Sequence, residues 1–407
     1  MNKNLTAFAV AFALATPAAT LAQSSNVQIY GRLNLGFDNY SATGATAGSA
    51  ADFKSRYRVY DAASRLGFTG SEDLGNGLKA VFLMESGVNV DNGGNTGQSG
   101  VANPFSGFLS SRVGHVGLQG NWGLLTFGKS NVWWANYAQE QVSANFIATG
   151  MPSFNGLFGR GMGVGVTRVT NTIQYTSPTL SGVSAIVSYS PNGEASGAGA
   201  NADGRLWGLT VHGQWGAFGA GYDWVKNRGN APAAGGTPVS TGHKLRAGMY
   251  YAPGSQVSLM WIKSVQDNGG AIAIVAGAGA AALLLPDPTA TASLSQTSWG
   301  LNWEHTFGNI QGFAQWAKVN NITGCVLAGR CDNTNATSWL LAARYNFSKR
   351  TGAYFQYTTV KNASNYNMDY SGGWMTSAGT LGLLPGLPPG SVGADPRIYG
   401  IGIMHNF

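Results

Sequence analysis

Trp207-Gly208-Leu209-Thr210-Val211-His212-Gly213-Gln214-Trp215 is followed by the pair Gly216-Ala217 and then by Phe218-Gly219-Ala220-Gly221-Tyr222-Asp223-Trp224. In the first segment Trp207, Leu209, Val211 and Trp215 share one parity, while Gly208, Thr210, His212 and Gln214 share the other. In the second, Phe218, Ala220, Tyr222 and Trp224 oppose Gly219, Gly221 and Asp223. Successive side chains of an extended chain point to opposite faces, so a period of two reads as a strand with one apolar and one polar face.

The pattern recurs along the chain. Val27, Ile29, Leu33, Leu35 and Phe37 alternate with Gln28, Arg32, Asn34 and Asp38. Leu245, Ala247, Met249 and Tyr251 oppose Lys244, Arg246 and Gly248, and Trp299, Leu301 and Trp303 oppose Asn302 and Glu304. The last segment sets Tyr399, Ile401, Ile403 and Phe407 against Gly400, Gly402 and Asn406. A soluble sandwich alternates too. Here, however, the apolar face is capped by Trp, Tyr and Phe at segment ends, and the other face carries Gly, Ser, Thr, Gln, Lys and Arg. An apolar band with aromatic ends and a polar inner face is the pattern of a transmembrane barrel. Lipid offers no partner to a sheet edge, so the sheet must close.

Connector lengths agree. Short turns fall at Glu72–Gly77, Asn121–Gly123, Trp215–Ala217, Gly308–Asn309 and Ser348–Lys349. Long connectors span Asn39–Ala63, Asp91–Ser110, Ser130–Arg168, Gln266–Leu294 and Asn362–Pro396. The expected fold is all-β: one antiparallel transmembrane β-barrel of about sixteen strands.

Composition excludes the other classes. Of 407 residues, 44% are hydrophobic and only 10% charged, against about 25% charged in ordinary soluble domains. That combination excludes disorder, and beyond the N-terminus no apolar run reaches the roughly 20 residues of a spanning helix. The formal charge of +7 comes from scattered residues rather than a basic patch, which argues against nucleic acid. The five histidines, His115, His212, His243, His305 and His405, have no convergent acid or metal-ligand neighbours in sequence, so neither a catalytic centre, a metal site nor a cofactor is expected.

Met1–Ala22 reads as a secretory signal, with Lys3, an apolar run from Leu5 to Leu14, and Thr20-Leu21-Ala22 as the cleavage site. The expected mature domain is 23–407. Cys325 and Cys331, the only cysteines, lie in the polar stretch Asn321–Asn335. In an oxidising compartment, without further ligands nearby, they read as a small loop disulfide rather than a metal site.

Ser64-Arg65-Leu66-Gly67-Phe68-Thr69-Gly70 and Glu72-Asp73-Leu74-Gly75-Asn76-Gly77-Leu78-Lys79-Ala80 resemble the trimeric general porins of Gram-negative outer membranes, most closely the neisserial and β-proteobacterial branch. Asn171-Thr172-Ile173-Gln174-Tyr175, Ser348-Lys349-Arg350-Thr351 and Gly402-Ile403-Met404-His405-Asn406-Phe407 extend the resemblance to nearly the whole chain. It implies a sixteen-stranded homotrimer in outer-membrane lipid and lipopolysaccharide, and a third loop, about Ser130 to Thr167, folded into the lumen. It also implies that Phe407 is the assembly signal. The third loop departs from the family in carrying one acid, Glu140, with Arg160.

Parity places Arg32, Arg65, Lys79, Lys244, Arg246 and Arg344 in the lumen with Asp38, Glu85, Asp223 and Glu304. Arg112 and Lys129 fall on the apolar parity, but they stand at a strand start and at the exit to the third loop, and the resemblance turns both inward. The expected constriction is Arg32, Arg65, Arg112 and Lys129 facing Glu140 and Arg160. Fixed charge in a narrow channel enriches counter-ions, so the expected function is passive diffusion of small hydrophilic solutes with weak preference for anions. The alternative is a channel selective for organic, and even aromatic, acids, with the apolar stretches Ala271–Leu285 and Leu381–Pro389 over the mouth. A barrel enzyme would need a nucleophile or acid pair beside a histidine, and the sequence offers none.

Overall fold

The computed structural model describes residues 26–62, 64–88, 90–91, 109–133, 136, 168–191, 205–228, 239–267, 293–325, 328–329, 331–366, 368 and 392–407. Seventeen strands run in chain order: β1 Asn26–Thr43, β2 Phe53–Asp61, β3 Arg65–Gly75, β4 Leu78–Gly87, β5 Val113–Gly120, β6 Gly123–Asn131, β7 Arg168–Thr176, β8 Val183–Ser190 and β9 Leu206–Trp215. They continue with β10 Phe218–Arg228, β11 Val239–Ala252, β12 Ser255–Asp267, β13 Leu294–Phe307, β14 Ile310–Val319, β15 Ala336–Asn346, β16 Thr351–Asn362 and β17 Asp395–Asn406. All pair antiparallel in one sheet that closes through β1–β17.

The wall nevertheless holds sixteen strands. On the side of β1 away from β17, Asn26–Arg32 pairs with β3 and Leu35–Ala42 with β2. β2 and β3 are therefore one wall strand, broken by a bulge at 62–64. Asp61 fixes the bulge by accepting the Ser64 amide at 2.8 Å, and the Asn34 amide donates to Ser64 Oγ at 2.9 Å. The expected long connector Asn39–Ala63 is thus mostly wall. β1 runs on to Thr43 and β2 begins at Phe53, because Tyr57 and Val59 continue the outward parity across a short excursion.

The seven turns at 76–77, 121–122, 177–182, 216–217, 253–254, 308–309 and 347–350 lie at one end, with every longer connector at the other. The outward face is apolar, with Ile29 63% and Ile401 60% exposed. The inward face buries polar groups such as Asn34, Asp223, Ser264 and Gln356. This inverts a soluble protein. Aromatic contacts belt the turn end, including Trp122–Tyr175, Tyr251–His305 and Tyr345–Phe347.

Near the long-loop end the inner face turns apolar. Val225, Ile262, Val319, Val360 and Ile398 are buried beneath loop residues Ile322, Tyr366 and Met368. Alternation alone gave no hint of this lining, because it depends on what the loops lay over the wall. Cys325 and Cys331 are disulfide-bonded and pack against it.

Two tyrosines cross the closing strands. Tyr354 lies over Gly402 and Tyr60 over Gly36, and a Cβ at either glycine would fall 2.3 Å from the ring or its hydroxyl. Their hydroxyls meet at 3.2 Å, and Tyr354 donates to Asn34 Oδ1 at 2.9 Å, bridging β16, β17, β1 and β2.

Candidate channel constriction

One cluster gathers on the inner faces of β1, β3, β4 and the start of β5. Glu85 on β4 is its central acid, and Asp61 lies within electrostatic range of Arg32. Arg112 donates from Nε to Glu85 Oε1 at 2.7 Å, and Arg65 Nε stands 3.7 Å from Oε2. Tyr30 donates to Oε2 at 3.1 Å. Its ring reaches that far from β1 because Gly67 on the intervening β3 leaves room, a Cβ there falling 2.3 Å from the ring. Arg32 donates to the Ala62 carbonyl at 3.3 Å and lies within electrostatic range of Arg65 and Arg112. Arg168, at the start of β7, is within range of Glu85, Arg65 and Arg112. Among the described residues Arg112, Arg65 and Arg168 are thus in range of the Glu85 carboxylate, while Arg32 is in range of Asp61 and of the neighbouring guanidinium groups.

The structure therefore brings together Arg32, Arg65 and Arg112. Arg112 turns inward because it precedes the first paired residue of β5, where strand parity does not bind it. Lys129 is not brought to Glu85. It stands opposite Gly114 in the register of the outward residues Val116 and Phe127, and donates from Nζ to the Ser111 carbonyl at 2.6 Å. Its electrostatic neighbour is Arg168. Glu140 and Arg160 lie outside the described residues, as do Ala271–Leu285 and Leu381–Pro389.

Arg168 was missed because it ended an apparent long connector. Its signal was the polar-apolar run beginning at Asn171, which the structure extends back by three residues. Tyr30 was missed because its parity is that of the lumen while its chemistry is that of the belt.

A second charged group lies on β9, β10 and β11. Asp223 accepts from Arg246 Nε at 2.9 Å and from Thr210 at 2.6 Å, with Lys244 Nζ at 3.4 Å. Arg246 passes over Gly221 to reach His212 Nδ1 at 3.1 Å. The chain leaving β6 touches this group: Lys244 donates to the Trp133 carbonyl at 2.8 Å, and Asn136 donates to Thr210 Oγ1 at 3.0 Å. Val132 packs against Gly208 on β9. The described start of the third loop therefore stands on the inner face of β9 and β11, several strands from where it leaves the wall.

Nearer the turns, Glu304 accepts from Gln256 at 3.0 Å and from Gln311, and Gln311 in turn accepts from Arg344. Arg344 is a vestibule charge held through Gln311.

A model described as Gram-negative porin matches residues 7–365. The chain is 28% identical over 344 residues to major outer membrane protein P.IB of Neisseria gonorrhoeae, covering 84% of this chain and 90% of that one. Among solved structures it resembles the anion-selective porin from Comamonas acidovorans, with TM-score 0.70, 21% identity, and coverage of 94% of this chain and 100% of that one. It also resembles the trimer form of OmpT from Vibrio cholerae, with TM-score 0.61, 13% identity, and coverage of 94% and 99%. With a sixteen-stranded closed barrel, a polar interior and a family match over most of its length, the chain belongs to the Gram-negative porins, outer-membrane channels for passive diffusion rather than enzymes.

Proposed function

We propose that this porin passes small hydrophilic solutes and weakly prefers anions. The observation that carries this is the excess of arginine on one stretch of inner wall, where among the described residues Arg32, Arg65, Arg112 and Arg168 stand with the carboxylates of Glu85 and Asp61. An excess of fixed positive charge on a narrow, low-dielectric wall concentrates anions along the path. The test is the reversal potential of the purified protein in a planar bilayer under a KCl gradient. Chloride should carry the larger share, and a cation-selective channel would overturn the reading.

The same reading assigns Met1–Ala22 as a signal, 23–407 as the barrel, and the third loop as an inward constriction carrying Glu140 and Arg160. The docking of Val132, Trp133 and Asn136 on β9 and β11 supports that loop assignment. Phe407 is assigned as an assembly signal. Its backbone pairs with Gly31 in both directions at 3.1 Å, extending the β1–β17 seam. The assembled form is proposed to be a homotrimer, supported by the trimeric OmpT likeness. Closure of single insertions in three equal steps is the expected record.

A further inference from the structure

The mouth at the long-loop end is roofed over β10–β17. Ile322 from the β14–β15 loop, and Tyr366 and Met368 from the chain after β16, lie buried in one cluster with inner-face Val225, Ile262, Val319, Val360 and Ile398. Inner-face Ser264, Ser298, Ser338 and Thr358 are buried as well. Tyr366 reaches inward to donate to Gln296 Oε1 on β13 at 3.4 Å, and Asn362 Nδ2 donates to the Met368 carbonyl at 2.9 Å. The roof is one piece. Asn365 donates from Nδ2 to the Asp332 carbonyl at 2.9 Å and from its amide to the Asn333 carbonyl at 3.1 Å. Thr46, between β1 and β2, donates to the Ser364 carbonyl at 2.6 Å. On β2, by contrast, the rim is exposed from Lys54 to Arg56. Arg56 stands opposite Tyr40 in the inner-face register, its guanidinium 4.6 Å from the Phe53 ring centre, and Arg58 below it pairs with Asp38.

The disulfide sits at the hub of this roof. Cys325 and Cys331 are half-buried and packed against the apolar lining. The Cys331 carbonyl accepts from the Thr334 hydroxyl at 2.6 Å, which orients that oxygen to accept the Ile322 amide at 2.8 Å. The Thr334 carbonyl accepts from Gln296 at 3.2 Å, and Gln296 also donates to the Asn320 carbonyl at 3.0 Å. Thr334 is fully buried. The position of Cys331 thus fixes Thr334, Thr334 fixes Ile322 and Gln296, and Gln296 receives Tyr366.

We propose that the Cys325–Cys331 disulfide is a redox-sensitive latch on this mouth. Closed, it holds the roof down and confines entry to the side of β2 and its arginines; opened, it widens the mouth. The opening step is exchange with an external dithiol. One thiolate attacks a cystine sulfur, the other sulfur leaves as a thiolate, and the second thiol of the reagent resolves the mixed disulfide. Two cysteine thiols and one oxidised dithiol result. A small reagent can reach the bond because both residues are only half-buried. Without the cross-link the loop regains chain freedom, Thr334 loses its fixed acceptor, and Ile322 and Tyr366 lift from the lining. The inference rests on the channel reading, which makes the lumen the path.

The test adds polyethylene glycols of graded size to one side of a planar bilayer holding the full chain, and finds the largest that still enters the mouth and lowers conductance. With a dithiol present, the limit on the long-loop side should rise and the limit on the turn side should stay. The double variant Cys325→Ser, Cys331→Ser should show the wider mouth from the start and ignore the dithiol. Hydrogen exchange of the detergent-solubilised protein gives a second measurement. Peptides holding Ile322 and Thr334 should exchange roughly tenfold faster once reduced, while peptides of β11 keep their rate. A conducting wild-type channel whose long-loop limit ignores the dithiol overturns the latch alone, without any variant needing to fold. Absence of conductance overturns the channel reading, and exchange then decides the latch. Unchanged protection after reduction overturns it, and faster exchange confined to the roof upholds it.

Discussion

At the scale of single residues, the channel's field depends on how much of the guanidinium charge Glu85 cancels. Glu85→Gln removes the one carboxylate held by Arg112, Arg65 and Tyr30, so the reversal potential should move further toward chloride. Arg65→Glu should move it the other way, toward potassium. Gly67 controls the same site indirectly. Gly67→Val places methyl groups where the Tyr30 ring lies, breaking its hydrogen bond to Glu85. A lost bond to a charged group costs about 1.5–3 kcal/mol, to be read as a lower guanidinium midpoint for unfolding from lipid vesicles. The residues of this cluster differ in how readable they were. Arg32 and Glu85 sit within unbroken alternation, and Arg65 begins β3, where the alternation that follows it fixes the face. Arg112 sits where pairing begins, so only resemblance pointed it inward. Lys129 illustrates the converse: it stands at the exit to the third loop, beside a register break between Gly128 and Ser130, yet keeps the outward register opposite Gly114.

At the scale of elements, each strand answers to two solvents. Ile401 is central on β17 and faces outward, so Ile401→Arg should destabilise the folded barrel by about 2–4 kcal/mol, measured by reversible unfolding in vesicles. Gln356, on the inner face of β16, is fully buried among polar neighbours and donates to the Tyr60 hydroxyl at 3.1 Å. It belongs to the polar interior rather than the lipid face, although its strand is equally deep in the membrane. The loop between β14 and β15 is a separate case. Cys325 and Cys331 close a short ring, so Cys331→Ser should raise proteolysis within 321–335 while the barrel's melting temperature stays nearly constant. Strand positions were legible because alternation is a local signal. The bulge at 62–64 was not, because it depends on Asp61 and Ser64 meeting β1 from a distance in sequence. The apolar inner lining near the mouth was likewise invisible, since loops far along the chain create it.

At the scale of the whole molecule, the barrel carries its charge asymmetrically. Arginines crowd the inner wall near β1–β7, while lysines line the outer rim of β10–β17. The first set lines the lumen and the second the outward face, so charge substitutions on the outer rim should leave the reversal potential unmoved. The sixteen-strand count was within reach of the sequence, because each strand carries its own local alternation. The circuit itself ends where it starts. β17 is joined to β1 over Asp395–Asn406, and the Gly31–Phe407 pair extends that seam to the turn end. Until that last ribbon arrives, the sheet keeps two raw hydrogen-bonding margins, one along β1 and one along β16. A copy stalled before β17 would therefore remain an open curl, sticky to its neighbours and vulnerable to periplasmic proteases. Closure of the barrel must then wait on the final dozen residues.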